Sequence, residues 1–189
     1  MRDLLQGVTG RWQRRGHDRS GQSLIEFSLS ALVLILLLFG MIDFGRSIYY
    51  REVMINLARE ASNEAARSVA SSPEQAMTNA VNAALVASSP LQTNSIRIII
   101  SSVMRSGTSI SVTAQVQAPQ GGYAANSKLH NGPGTVPVSK WPATSTVIPQ
   151  PNRTAYVTEV FYHFTPTTPL GKLARWAMPT QLYDVAYFM

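Results

Sequence analysis

Gly21-Gln-Ser-Leu-Ile-Glu-Phe-Ser-Leu-Ser-Ala-Leu-Val-Leu-Ile-Leu-Leu-Leu-Phe-Gly-Met-Ile42 is the stretch on which the fold turns. From Phe27 to Ile42 it carries no charge, and Leu, Ile, Val and Phe dominate it. An α-helix rises about 1.5 Å per residue, so these roughly 16 residues reach about 24 Å. The hydrocarbon core of a bilayer is about 30 Å thick. Leu24 and Ile25 before the run, and Phe44 after it, close most of that difference. The run therefore reads as a membrane-spanning helix over residues 22–44. It has one anomaly: Glu26 stands just inside the leading edge, where an ionisable group is costly and marks a functional position.

The 189-residue chain has a formal net charge of +6, unevenly spread. Between Met1 and Gly21, Arg2, Arg11, Arg14, Arg15 and Arg19 outweigh Asp3 and Asp18. The basic excess is thus densest just before the span. By the positive-inside rule that end stays in the cytoplasm, and residues 45–189 lie across the membrane as an extracytoplasmic domain. The chain has no cysteine, which excludes disulfides, cysteine-ligated zinc and thiol catalysis. His17, His130 and His163 are scattered, with no metal-ligand spacing. There is no phosphate-cradling glycine loop, no G-x-S-x-G and no H-E-x-x-H. No basic patch with interleaved aromatics points to nucleic acid. The sequence thus reads as neither enzyme nor nucleic-acid binder, with no cofactor, metal or small-molecule substrate expected.

An ordinary secretory signal would end in a small-residue cleavage site after about 7–15 apolar residues. This run ends instead in Met41-Ile-Asp43-Phe44-Gly45-Arg46. A plain signal anchor accounts for the arginines and the span but not for Glu26. A basic leader, then Gly21, then Gln22-Ser-Leu-Ile-Glu26-Phe27 and an apolar helix, resembles the class III signal of type IV pilin-like proteins. Phe39-Gly40-Met-Ile-Asp43-Phe44-Gly45-Arg46 and Leu57-Ala-Arg59-Glu60-Ala61 resemble the opening of TadE-like pseudopilins of the tight-adherence (Flp) pilus. Val160-Phe-Tyr162-His-Phe164-Thr-Pro166-Thr-Thr-Pro169-Leu170 is similar to that family's late aromatic strand and Pro-rich turn.

The resemblance implies a minor pilin of the bacterial inner membrane. A prepilin peptidase would remove the leader, residues 1–21, by cutting between Gly21 and Gln22. Glu26 and Phe27 would serve assembly with other pilin-like subunits and the pilus platform, in adhesion and biofilm formation. The chemistry is consistent on its own terms. Glycine offers no side chain to crowd a scissile bond, and cutting there gives Gln22 a free amino group four residues from Glu26. An ammonium–carboxylate pair, within a subunit or between neighbours, would offset the cost of burying either charge. The competing reading is an unprocessed single-pass protein whose outer domain is a binding module.

The rest of the chain reads as α+β: a long N-terminal helix and a second helix packed on a mainly antiparallel sheet. Helical character continues past the span to about Ala70. Asp43 and Arg46 sit at i,i+3 and can pair. Tyr49 and Tyr50 suit the membrane–water boundary as anchors. Val53, Leu57, Ala61 and Ala65 form an apolar stripe, with Arg59, Glu60, Glu64 and Arg67 on the solvated face. Ser72-Pro73-Glu74-Gln75 starts a helix with a capping box, running to about Ala87. Ile96, Ile98, Ile100 and Ile110, Val112, Ala114, Val116 alternate as two strands about a turn at Ser106-Gly107. Residues 119–152, rich in Pro, Gly, Ser and Asn, read as a long loop. In it Tyr123, Lys140 and Trp141 are candidate contacts, unless the aromatics tuck against the sheet. Residues 155–164 read as a third strand, 169–177 as a short amphipathic helix on Leu170, Leu173 and Trp176, and 182–188 as a closing strand.

Overall fold

The uncharged run and the i,i+4 stripe that follows it join into one helix, α1 (Arg19–Arg67). This computed structural model describes residues 19–136, 151 and 153–189. Most of the basic leader, with Lys140 and Trp141, lies outside them. The chain divides after Leu38 into two compact units. In the first, the described part is helix alone, and no residue from Gly21 to Leu38 is buried. The helix is long and apolar enough to cross a membrane. In the second unit, α1 buries Met54, Leu57, Ala58, Ala61 and Ala65, with Val53 partly covered. Arg59, Glu60, Glu64 and Arg67 face solvent as expected.

A second helix, α2 (Pro73–Ala87), starts where the sequence places it. Ser72 accepts from the Gln75 amide, and Pro73 fits the first turn, where an amide proton has no helical partner. The reciprocal half of the capping box is absent: the Gln75 side chain takes the Ser71 hydroxyl at 2.7 Å instead. Ala76, Met77, Ala80, Val81 and Ala84 are buried, while Leu85 sits at the margin of the core.

The sheet runs β3-β2-β1-β4-β5, antiparallel throughout. Its strands are β1 (Ile96–Ser106), β2 (Ser109–Ala118), β3 (Gly134–Val136), β4 (Thr154–His163) and β5 (Gln181–Phe188). Ser106 pairs with Ser109, leaving a two-residue turn in which Gly107 takes a φ of 61°. That left-handed conformation is cheap only for glycine. A bulge divides β2: Ser102 pairs with Ala114, but Val103 pairs with Val112, leaving Thr113 extra. One inserted residue reverses the faces. Ala114, Val116 and Ala118 therefore lie under the helices, with Ile96, Ile98 and Ile100. Ile110 and Val112 join Val103, Val157, Leu129 and Val136 in a smaller cluster on the opposite face.

The described part of the expected long loop is not structureless. Residues 134–136 form β3, and the stretch before it lies along the sheet. Arg97 donates to the Tyr123 and Pro119 carbonyls at 2.8 and 2.9 Å, and Gln115 donates to the His130 carbonyl at 2.9 Å. Tyr123 stacks on His163 with ring centroids 5.4 Å apart, so this aromatic is tucked in. The short helix is also different from its reading. It is α3 (Pro169–Leu173) followed by a 3-10 turn (Arg175–Ala177). Ala174, at φ −94° and ψ 33°, breaks it, so the i,i+3 stripe never forms. Leu170 is half-buried, but Leu173 and Trp176 are exposed.

Candidate functional site

Two places along α1 gather the chemistry, its beginning and the turn at which the apolar run ends. At the beginning, Gly21, Gln22, Glu26 and Phe27 are all helical and exposed. A side chain at Gly21 would meet nothing within 4 Å. Gln22 and Glu26, four residues apart, lie on the same side of the helix. Ser28 returns its hydroxyl to the Leu24 carbonyl at 2.8 Å, which satisfies that polar group inside an apolar segment.

At the other end Asp43 is fully buried. Its donors come from the Thr-Pro-Thr-Thr-Pro stretch between β4 and β5. The Thr167 amide donates to Oδ1 at 3.0 Å, the Thr168 amide reaches both carboxylate oxygens at 3.3–3.4 Å, and the Thr168 hydroxyl donates to Oδ2. The same hydroxyl accepts from the Gly171 amide at 3.1 Å, so it caps α3 while it holds Asp43. Gly171 is itself required here: a Cβ would collide with Asp43 Oδ2 and the Pro166 ring.

Arg46, one turn on, sits 3.8 Å from Asp43 as the i,i+3 spacing predicts. It also donates to the Thr167 hydroxyl and, at 3.0 Å, to the Tyr50 hydroxyl. Its guanidinium lies over the Tyr50 and Phe164 rings, 5.2 and 5.9 Å from their centroids. Tyr50 is turned inward and meets Tyr162 and Phe164 edge-on, whereas Tyr49 is exposed. Tyr49 and Tyr50 thus occupy different environments.

A second buried carboxyl group stands on the far face of the sheet. Glu159, in the middle of β4, accepts from the Ser127 hydroxyl, the Lys128 amide at 2.9 Å and the Tyr183 hydroxyl at 3.0 Å. Lys128 places its ammonium 3.4 Å from the centre of the Tyr183 ring. Burial and then the nearby Glu159 push the Tyr183 hydroxyl well above the usual tyrosine range, and Tyr187 up to about 12. This network fastens the 119–136 stretch to the sheet. No group of three or more His, Cys, Asp or Glu side chains among the described residues is arranged to hold a metal.

Sequence reasoning did not find the Asp43 clamp or the Glu159 anchor. Signals existed for both: a Thr before Pro marks a helix start, and one acid inside the apolar Val157–Phe164 run needs donors.

Residues 21–67 match the family model described as TadE-like protein. Over that stretch the chain is similar to TadE-like proteins. No curated protein and no solved structure matches the chain. The TadE-like stretch is all but the first two residues of α1. It holds Gly21, Gln22, Glu26 and Phe27 at one end, Asp43, Arg46, Tyr49 and Tyr50 midway, and the core stripe at the other. The clamp's second half, Thr167–Gly171, lies beyond the matched residues.

Proposed function

We propose that this protein is a TadE-like minor pilin or pseudopilin of a Tad (Flp) pilus, a structural subunit rather than a catalyst. A prepilin peptidase cuts it between Gly21 and Gln22. It is held in the bacterial inner membrane by residues 22–44 and presents residues 45–189 on the outer side. The observation that carries this reading is the TadE-like match over an exposed apolar helix that runs straight into the domain core.

The exposed side of α1 supports subunit packing. Phe44, Ile48 and Tyr49 are exposed and continue the apolar surface past the uncharged run. A bare anchor needs no such extension, whereas a fibre built by side-to-side packing of helices uses it. Glu26 then has a defined part: its carboxylate pairs with the new amino group of Gln22 in its own or an adjacent subunit. Breaking a buried ion pair by removing one partner costs roughly 3–5 kcal/mol, less where headgroups and water reach the site.

Glu26→Gln tests this in a strain with its own peptidase. The variant should be cut and inserted normally, yet fail to co-purify with other pilin-like subunits and fail to support piliation. A Glu26→Gln strain that makes pili and adheres as wild type does would show that the glutamate has no assembly role.

A further inference from the structure

The excursion between β4 and β5 carries an apolar surface that no described residue covers. Leu173 is 82% and Trp176 89% exposed. The excursion is nevertheless ordered: the Phe164 amide donates to the Thr180 carbonyl at 3.0 Å at its neck, and α3 and the 3-10 turn follow in its middle. Its charge is one-sided. From Phe164 to Thr180 it contains Lys172 and Arg175 and no acid. Both cations line a groove of about 340 Å³ together with Phe164, Pro166, Met178 and Pro179. A lining that joins apolar side chains to two cations is the complement of a phospholipid headgroup with the first carbons of its acyl chains.

Position argues for the same partner. The excursion is tied through Thr167 and Thr168 to Asp43, the first charged residue after the uncharged run. Glu26 and Asp43 are separated by about 17 residues, or about 26 Å of helix, against a hydrocarbon core of about 30 Å. With α1 as a span, Asp43 falls at the boundary where the helix would leave the bilayer, and the excursion is bonded to that residue. Tryptophan collects at that depth because its ring is apolar and its N–H is not. A tether to the span would also keep the surface near the lipid, so weak contacts would suffice.

We propose that Pro169–Ala177 is an interfacial anchor, which lays Leu173 and Trp176 into the leaflet where α1 emerges and sets Lys172 and Arg175 on the phosphates of anionic phospholipids. This rests on the reading of α1 as a membrane span.

The test uses the full chain in nanodiscs of phosphatidylglycerol or phosphatidylcholine with brominated acyl chains. Trp12→Phe and Trp141→Phe leave Trp176 as the one tryptophan, excited selectively at the red edge away from the tyrosines. A second variant, lacking all three tryptophans and carrying Leu34→Trp, reports on the middle of the span. Trp176 should emit to the blue, be quenched by bromines near the headgroup end of the chains, and resist aqueous iodide, most strongly in phosphatidylglycerol. Each cation near an anionic surface contributes on the order of 1 kcal/mol, so Lys172→Gln with Arg175→Gln should lower the docked-to-free ratio about thirtyfold. The Leu34→Trp signal should not change. Free quenching of Trp176 by iodide, with Leu34→Trp still quenched by deep bromines, overturns the anchor and leaves the span standing. Escape of Leu34→Trp from the bromines would overturn both. Shielding of Trp176 that appears only when more copies share a disc would assign the surface to a subunit contact and also overturn the anchor.

Discussion

A carboxylate buried where the uncharged run ends must be given donors, and Asp43 finds all three on two consecutive residues, Thr167 and Thr168. Asp43→Ala would strand those donors, and each buried unsatisfied group costs about 1–3 kcal/mol. The domain should then unfold in detergent at clearly lower urea, with proteolysis appearing first between Thr165 and Pro179. An unchanged midpoint would contradict the clamp. Asp184 makes the opposite case. Burial raises its pKa, and the attraction of Arg51 and Arg59 offsets only part of the rise. A raised folded-state pKa means that the native state holds the proton more tightly than the unfolded chain does. Its contribution to stability is present at low pH and is lost as pH rises through that pKa. Asp184→Asn should therefore be more stable than wild type near pH 7, with the gap closing toward about pH 3 as both carboxyls protonate. A gap that widens on acidification would reverse the assignment.

Among the elements, α1, α2, β1, β2, β4 and β5 were legible from their apolar patterning, while the three-residue β3 lay inside the stretch that reads as a loop. The i,i+4 stripe and the Ser-Pro start set the helices, and alternating Ile and Val set β1 and β2. The bulge at Thr113 was not legible, because the alternation reads the same whether or not one residue is looped out; pairing with β1 decides it. The 169–177 segment failed for a different reason: five residues are too few for periodicity to define a face, and the break at Ala174 releases Leu173 and Trp176. In residues 119–136, composition hid order, because that stretch is fastened by hydrogen bonds rather than by apolar periodicity. Glu159 is its main fastener. Glu159→Ala would leave the Ser127 hydroxyl, the Lys128 amide and the Tyr183 hydroxyl without their acceptor, a loss on the order of 3 kcal/mol or more. Hydrogen exchange should speed up across 119–136 and β5 while the amides of α2 stay protected. Uniform exchange in the variant and wild type would contradict the anchoring role.

At the scale of the molecule, an exposed apolar helix feeds a domain whose sheet is covered on one face by α1 and α2 and on the other by the 119–136 stretch. Coverage on both faces explains why β1 and β4, the inner strands, are buried along most of their length, while β2 alternates. The sequence marked the apolar part of α1 clearly, because charge and hydropathy change abruptly at its two ends. It did not mark which residues hold the domain to the helix, because Asp43 meets its partners only across 124 positions of chain. The central claim is that this helix begins, in the mature protein, at Gln22. The measurement closest to it is the intact mass and N-terminal sequence of protein extracted from the membranes of cells with their own prepilin peptidase. The account predicts a chain that starts at Gln22 and is lighter by residues 1–21, and an uncut chain in the Gly21→Val variant. A wild-type protein that keeps its leader, or a Gly21→Val protein that starts at Gln22, would contradict it.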